Sequence, residues 1–507
     1  MTKLTIEDIR ALDQLAHSEP AKAVHRLKEY DRLYSDKMLW KSVRGALFID
    51  VGAALRDENL VQKGVLHETA FIPHSPVNHL QSHLYNLGNG YSSIEDLARA
   101  KPSYRFDPDK AALSDAKRCF REALRLAGDS APPQLLTNYA NCLSACGRTI
   151  EAIDVWRRAL AVSPEHPMAL GNLAIGTKYL SSLTNDFAAL PQVADGIRRA
   201  LASPMNQEMP THAKLAFESA LVQVDKFLSK NPKIKSPQPG QTTNSYELYC
   251  REHDLFLSLS VGKVFDAASL SLITATGDDS TYPRLARVIN DIKERFALAR
   301  MLSFEASRGS TGDMDADRLT TYADLSDGAV YGTRPAKFKL AFETAFNVLD
   351  KIAFFLNDYL HLGVSDKDAS FLRIWATGQG GLRPDILNRN NFQLFALYDL
   401  SRDFSKGGYL EPFRLERHIS THRYLLPHIK PEKHWKTHAD SVEYHTGYKR
   451  LLSETLQLLR LAKGAIIYLV AFVNGNERPD KKHKGMLIRE VIPSHTPVDI
   501  RACESDI

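Results

Sequence analysis

The sequence predicts an all-α protein, in which an N-terminal α-solenoid of helical repeats is followed by a C-terminal up-and-down helical bundle. Two observations carry this prediction. Aligned with itself, the first half of the chain shows a period of about 34 residues, which is the length of a two-helix repeat. The second half contains long stretches with apolar residues at every third or fourth position, a spacing typical of amphipathic helices.

Length and composition are those of a soluble globular protein. The 507 residues allow for several domains, and 44% are hydrophobic and 25% charged. The 65 Lys and Arg residues exceed the 60 Asp and Glu residues by only five. This small excess argues against a protein that coats nucleic acid generally, so any contact with RNA must be local.

Neither a secretory signal nor a membrane span is predicted. The amino terminus lacks an apolar core, and the longest strongly apolar run, Gly464 to Val473, covers about half of what a bilayer requires. The five cysteines are scattered and odd in number, which argues against a disulfide framework or a zinc ribbon. We therefore expect a cytoplasmic protein that does not associate with membranes.

The best helical repeat covers residues 133–166. Small residues at Ala140 and Ala152 let two helices approach each other, Trp156 fills the space between them, and Pro164 ends the second helix. With the other large and small residues at matching offsets, this segment resembles a tetratricopeptide (TPR) repeat: Leu136, Tyr139, Gly147 and Ala159. The resemblance implies an antiparallel helix pair that needs neighbouring repeats.

Two further segments carry parts of the same pattern. Residues 84–91 match the first helix of the repeat, and its second helix follows an insertion at Ala116, Phe120 and Ala123. A third repeat begins at Leu170 and then loses the pattern. We therefore assign residues 1–229 to a TPR-like helical repeat domain.

Three asparagines occupy the same offset on successive first helices of these repeats: Asn86, Asn138 and Asn172. An amide side chain both donates and accepts hydrogen bonds, so a column of amides can hold the backbone of an extended peptide. Alternatively, asparagine is simply a frequent residue at this offset in the repeat family. The TPR resemblance implies in either case that the repeats bind a protein or peptide ligand.

A domain boundary is predicted at residues 230–245, which contain three prolines and one glycine without apolar periodicity. Residues 246–473 then form the predicted bundle, with apolar stripes that include Leu285 to Ala299 and Phe342 to Leu360. Later bundle helices are expected around Asn391 to Phe404, Glu411 to Leu425 and Val442 to Val473. Residues 474–507 are polar and rich in proline, and we expect a C-terminal tail.

The candidate catalytic residues are Arg417, His418 and His422, which lie close together on the helix expected around Glu411 to Leu425. Residues four apart share a helix face, so the two histidines lie side by side. Arginine can neutralise the charge that builds on a phosphate during cleavage, and histidine can transfer protons near neutral pH. Such a set permits RNA cleavage by the 2′-hydroxyl without a metal or a protein nucleophile.

This motif resembles that of the HEPN superfamily of ribonucleases, in which an Arg, a polar residue and a later His lie on a late bundle helix. Residues 338–346, 351–359 and 395–404 are similar to helices of its LA2681-like subgroup. The resemblance implies a metal-independent endoribonuclease without a cofactor and a homodimer whose two motifs form one site. It further implies a toxin or effector in prokaryotic antiviral defence or stress response.

The resemblance also implies roles for individual residues. Arg417 would clamp the phosphate, His422 would be the acid or base, and His418 would stand where the superfamily usually has asparagine, which leaves its role open. Arg414 and Arg423 would hold flanking phosphates, unless they are merely solvated surface residues.

Three alternatives remain open from the sequence. His418 and His422, like His434 and His438, are spaced to bind zinc, but Ile419 stands where a zinc protease helix needs glutamate, so no metal is predicted. A second alternative is a non-catalytic scaffold that dimerises and recruits partners. A third possibility is an effector whose bundle binds RNA without cutting it.

Overall fold

The computed structural model describes residues 4–237, 242–274, 281–323, 326–376, 381–430, 442–477 and 486–489. In this part of the chain there are nineteen α-helices and only two short two-stranded sheets. The predicted all-α fold class is therefore confirmed.

The N-terminal region consists of consecutive helices that pack against their neighbours in the chain. This arrangement is consistent with a helical repeat region, while its assignment to the TPR family stays a prediction. The helices are α1 (Ile6–Ser18), α2 (Pro20–Tyr34), α3 (Met38–Leu55), α4 (Glu58–Phe71), α5 (Val77–Arg99), α6 (Leu113–Ala127), α7 (Pro133–Ala145), α8 (Thr149–Val162), α9 (Pro167–Thr184), α10 (Leu190–Ala202) and α11 (Thr211–Lys230).

Helices α7 and α8 cover the segment that the sequence predicts as the best repeat. Ala140 and Ala152 are fully buried, which lets the two helices approach closely. The buried Trp156 ring donates a hydrogen bond from Nε1 to Asn141 Oδ1 at 3.0 Å. The turn between the helices needs Gly147, whose φ is +86° and whose Cα lies against the Phe392 carbonyl, where a Cβ would overlap.

The C-terminal region is built around three long helices, and its helices are α12 (Ser245–Glu252), α13 (Thr281–Arg308), α14 (Thr311–Arg318), α15 (Thr333–Tyr359), α16 (Pro384–Leu387), α17 (Phe392–Phe404), α18 (Glu411–His422) and α19 (Tyr448–Asn476). Helices α13, α15 and α19 pack on one another, and α17 and α18 complete the core. The predicted stripe on α15 is confirmed as core, because Phe342, Phe346 and Leu349 are at most 1% exposed.

Four short strands depart from the predicted helices: β1 (Ser271–Thr274), β2 (Tyr424–His428), β3 (Glu443–Gly447) and β4 (Met486–Arg489). The helix expected to reach Leu425 ends earlier, because Pro427 disfavours the helical conformation in the residue before it. The helix expected from Val442 begins only at Tyr448, after β3, which pairs in parallel with β2. Strand β4, within the predicted tail, pairs antiparallel with β1.

The two regions share a buried cluster of charges. Lys117, Arg121 and Arg148 from the repeats face Asp399 and Asp403 on α17, and Glu151 completes the set of three cations and three carboxylates. The Lys117–Asp399 pair is at 2.6 Å and the Arg121–Asp403 pair is also at 2.6 Å. The predicted boundary at residues 230–245 stays a prediction, but the helices on its two sides form one continuous core.

Helix α19 has the length and composition of a membrane-spanning helix, with a mean hydropathy of 1.7 in its most apolar window. In the folded chain, 83% of that window is buried inside the protein. Its apolar surface packs on α8 and α9 of the repeats and on α13, α15 and α17 of the bundle. The helix therefore serves as a core helix shared by the two regions.

Candidate active site

Helix α18 carries the candidate motif and is held at its first turn and along its inner face. Glu411 accepts a hydrogen bond at 2.8 Å from the backbone N–H of Gly407, which lies just before the helix. Phe413, Glu416 and Ile419 recur every three residues and are buried. This burial turns the intervening positions toward α15 or toward solvent, so the motif lies at the edge of the bundle.

Arg417 lies between α18 and α15 and is 37% exposed. Its Nη2 atom lies 3.1 Å from Asp350 Oδ2 and donates to Asn347 Oδ1 at 3.3 Å, and its guanidinium lies 5.0 Å from the centre of the Phe346 ring. Only Nη2 is used by these hydrogen bonds. The guanidinium is therefore positioned from one side and keeps donors available for a phosphate.

Asp350 is itself fixed by the protein. Its Oδ1 accepts a hydrogen bond from the backbone N–H of Phe371 at 3.0 Å, while Oδ2 faces Arg417. The carboxylate is thus shared between a backbone donor and the arginine. A charge held in this way restricts the arginine side chain to few orientations, which is what a phosphate clamp requires.

The two histidines lie on the exposed side of the same helix. The ring centres of His418 and His422 are 4.9 Å apart, with the planes inclined by 56°. Both side chains are exposed, unlike Arg417, which is partly covered by α15. The prediction that His418 and His422 share one face is confirmed, and both rings are open to a ligand from solvent.

The flanking arginines differ in their surroundings. Arg414 Nη2 pairs with Glu411 Oε1 at 3.1 Å within α18, so part of its charge is already neutralised. Arg423 follows the helix at the start of the chain segment that leads into β2, and its side chain is half-buried. Contacts of these two residues with RNA stay a prediction.

Sequence reasoning missed the polar side chains of α15 that face the motif. Glu343 accepts a hydrogen bond from the Ser420 hydroxyl, and Asn347 and Asp350 contact Arg417. Asn347 follows Glu343 by four residues and precedes Asp350 by three, so the three side chains form a polar stripe along α15 beside its apolar stripe. The spacing of these polar residues is visible in the sequence, but the sequence does not show that they face α18.

A second missed feature is a pair of buried carboxyl groups beneath the motif. Glu416 is completely buried and lies beside Glu454 on α19, while Arg450 reaches both glutamates, at 3.4 Å and 2.8 Å. Burial, reinforced by the negative charge of Glu454, raises the pKa of Glu416 to about 8. At neutral pH this side chain therefore carries a proton.

One of the two histidine pairs of the zinc alternative lies in the part of the chain that the structure describes. No group of three or more His, Cys, Asp or Glu side chains is placed there to hold a metal ion. His418 and His422 are neighbours, but no third ligand accompanies them among those residues. The other spaced pair, His434 and His438, lies outside the described residues.

Asn86, Asn138 and Asn172 line three adjoining cavities of the N-terminal region, which together we call the groove. Asn86 lines the first cavity (about 630 Å³), Asn138 the middle cavity (about 330 Å³) and Asn172 the third cavity (about 720 Å³). The first and middle cavities share Asp50, and the middle and third share Asn141. One amide of the predicted column thus lies in each cavity.

The amides of this column also bond to neighbouring helices. Asn138 Nδ2 donates to Tyr85 Oη at 2.9 Å and to Asn89 Oδ1 at 3.0 Å, and Asn172 Nδ2 donates to Asn141 Oδ1 at 2.9 Å. The amide nitrogen of Asn138 therefore links α7 to α5, and that of Asn172 links α9 to α7. Peptide binding by the three asparagines stays a prediction.

Comparison with known proteins identifies a family for the C-terminal region. A search of the curated proteins found no match to this chain. Among protein-family models, that of the LA2681-like HEPN family matches residues 276–476, which include helices α13 to α19 and all three motif residues. The C-terminal region, residues 276–476, is therefore an LA2681-like HEPN domain.

Proposed function

We propose that the protein is a metal-independent endoribonuclease whose active site contains Arg417, His418 and His422. The observation that carries the proposal is the placement of these residues on an HEPN domain, with an arginine held by Asp350 beside two exposed histidines. No cofactor takes part in this reaction.

The chemistry follows from these side chains. A histidine removes the proton from the ribose 2′-hydroxyl, the oxygen attacks the adjacent phosphorus, and the bond to the 5′-oxygen breaks as that oxygen gains a proton. The products end in a 2′,3′-cyclic phosphate and a 5′-hydroxyl. Arg417 stabilises the charge on the phosphoryl oxygens through its free donors, and His422 transfers a proton.

In-line attack supports a dimeric site. The attacking and leaving oxygens lie on opposite sides of phosphorus, whereas His418 and His422 lie together on one helix face, 4.9 Å apart. A second copy of the motif across a homodimer of HEPN domains supplies a proton-transfer group on the other side. His418 then orients the substrate or takes part in proton transfer, and Arg414 and Arg423 contact flanking phosphates.

The N-terminal region supplies regulation in this proposal. Its groove binds a protein or peptide partner and thereby targets or activates the nuclease, and the shared core and buried charge cluster connect the two regions mechanically. A cytoplasmic toxin or effector in prokaryotic antiviral defence or stress response is the biological role that fits this combination.

The direct test is incubation of the purified full chain with total RNA in EDTA, followed by analysis of the product ends. We expect cleavage to cyclic-phosphate ends by the wild type and none by an Arg417→Ala, His422→Ala variant. The matched control is Arg32→Ala, His25→Ala, which also removes one arginine and one histidine from an exposed helix and should retain activity.

Other outcomes reject parts of the proposal. Loss of cleavage in EDTA that Zn²⁺ restores would overturn the metal-independent mechanism. Intact RNA under all conditions, including with a partner captured by the groove, would favour a scaffold. Retained RNA binding without cleavage would favour a binding protein. Light scattering of the purified chain checks the expected homodimer.

A further inference from the structure

Two carboxylates in the middle cavity have no ion-pair partner within 4 Å among the described residues. Asp50 on α3 and Asp96 on α5 both line it, and neither forms a hydrogen bond or ion pair through its side chain among the described residues. All the residues that line this cavity are described, and none of them is lysine or arginine.

The surroundings make ionisation of these carboxylates unfavourable. Both side chains are exposed to the groove, but the protein walls around them raise the pKa of Asp96 and raise that of Asp50 to about 6. The charged groups that face Asp50 are Asp13 and His17 from α1 and Glu68 from α4. Those that face Asp96 are Arg99 and Glu95 on α5, Arg56 and His212, and their cations offset part of the effect of burial on its pKa. A cation brought by a ligand would stabilise the charged forms.

Uncharged polar groups in the same cavity also lack partners. The Ser92 hydroxyl oxygen is enclosed and forms no hydrogen bond. Asn138 and Asn141 use one atom of each amide to bond to neighbouring helices, which leaves Asn138 Oδ1 free to accept and Asn141 Nδ2 free to donate. Apolar side chains such as Ile49 and Leu113 complete the wall and suit the methylene stem of a long side chain.

From these observations we propose that the middle cavity is a subsite for one lysine or arginine side chain of an extended peptide in the groove. The inference rests on the proposed binding of a peptide there and adds the chemistry of one anchoring residue. Asp50 and Asp96 pair with the ammonium or guanidinium group, Asn138 Oδ1 accepts a hydrogen bond from its N–H groups, and Asn141 Nδ2 donates to a carbonyl of the adjacent backbone.

A peptide fits the arrangement better than a small cation does. The three cavities adjoin, and each contains one amide at the same position of successive helices, as a ligand with a repeating backbone requires. Neighbouring packed helices lie about 8–10 Å apart and an extended chain rises about 3.3 Å per residue, so the groove accommodates roughly six to nine residues. Such a peptide places its basic residue near the middle.

The test measures binding of four octapeptide pools to the full chain carrying Arg417→Ala and His422→Ala, so that nuclease activity is absent. The pools have Lys, Arg, Gln or Glu fixed at the fourth position, mixed residues elsewhere and blocked ends. We expect the Lys and Arg pools to bind about tenfold or more tightly than the Gln pool. Adding Asp50→Asn and Asp96→Asn should abolish that preference.

The matched control is Asp129→Asn, Asp195→Asn, which removes two exposed carboxylates outside the groove and should leave the preference intact. Thermal unfolding of both double variants verifies that they fold. Equal binding of all pools would overturn the cation subsite but not the peptide groove. Binding of no pool, or binding of spermine alone with the same dependence on Asp50 and Asp96, would overturn the peptide as occupant. Ribonuclease activity is measured separately and is independent of these results.

Discussion

Ionisation of Glu416 should weaken the anchoring of α18 as the pH rises. Glu416 is completely buried and lies one residue before Arg417, so its state affects the helix that carries the motif. Its pKa rises from an ordinary value of 4.5 to about 8, first because of burial and then because of Glu454. A carboxyl whose pKa is raised on folding stabilises the fold most below its ordinary pKa, and this stability is lost as the pH rises through 8.

The size of the effect follows from the two pKa values. At about 1.4 kcal/mol for each pH unit, a change from 4.5 to about 8 corresponds to at most about 5 kcal/mol between acidic and alkaline conditions. This upper limit already includes the attraction of Arg450, 3.4 Å away and half exposed, which lowers the pKa of Glu416. We therefore expect about 2 kcal/mol or more at pH 9, equivalent to about a 30-fold change in the opening equilibrium of α18.

Glu416→Gln tests this expectation, because glutamine keeps the shape and donates to Glu454 as the protonated glutamate does, but cannot ionise. Hydrogen exchange of the α18 amides, corrected for the intrinsic effect of pH, should be similar in wild type and variant at pH 5 and faster in the wild type at pH 9. The control Glu218→Gln changes an exposed residue on α11 and should behave like the wild type. Identical pH profiles for the wild type and Glu416→Gln would refute the reasoning.

Three further substitutions probe other contacts. Asp350→Asn removes the charge that holds Arg417, so kcat for RNA cleavage should fall about tenfold while the thermal midpoint stays nearly constant; unchanged kcat would contradict the positioning role. Arg148→Met leaves Asp403 short of a buried cation and should lower the free energy of unfolding by about 3–5 kcal/mol in urea, and a neutral effect would argue against the charge cluster. Gly171→Ala should lower the free energy of unfolding by about 1–3 kcal/mol, since a Cβ would overlap the buried ring of Phe217. A variant as stable as the wild type would show that this ring moves aside without cost.

Local spacing alone was enough to predict the helices and part of the candidate site. Apolar residues at every third or fourth position define α13, α15 and α19, because that spacing creates one continuous face on a helix. The same reasoning places His418 and His422 side by side, since residues four apart meet regardless of what surrounds the helix.

The boundaries of the motif helix were less predictable. Strands β2 and β3 pair although they are separated along the chain, and neither contains an alternation that distinguishes it from the end of a helix. A strand is stabilised by hydrogen bonds to a partner, and the partner is a property of the fold.

Only the tertiary structure decides which distant side chains meet. Asp350 reaches Arg417 from another helix, and Asp50 and Asp96 face one cavity from α3 and α5. The sequence therefore determined the helical class and the residue types of the motif, because these depend on neighbours along one helix. Packing determined how the arginine is held, which carboxyl is buried and which carboxylates have no ion-pair partner, because charge and burial depend on helices far apart in the chain.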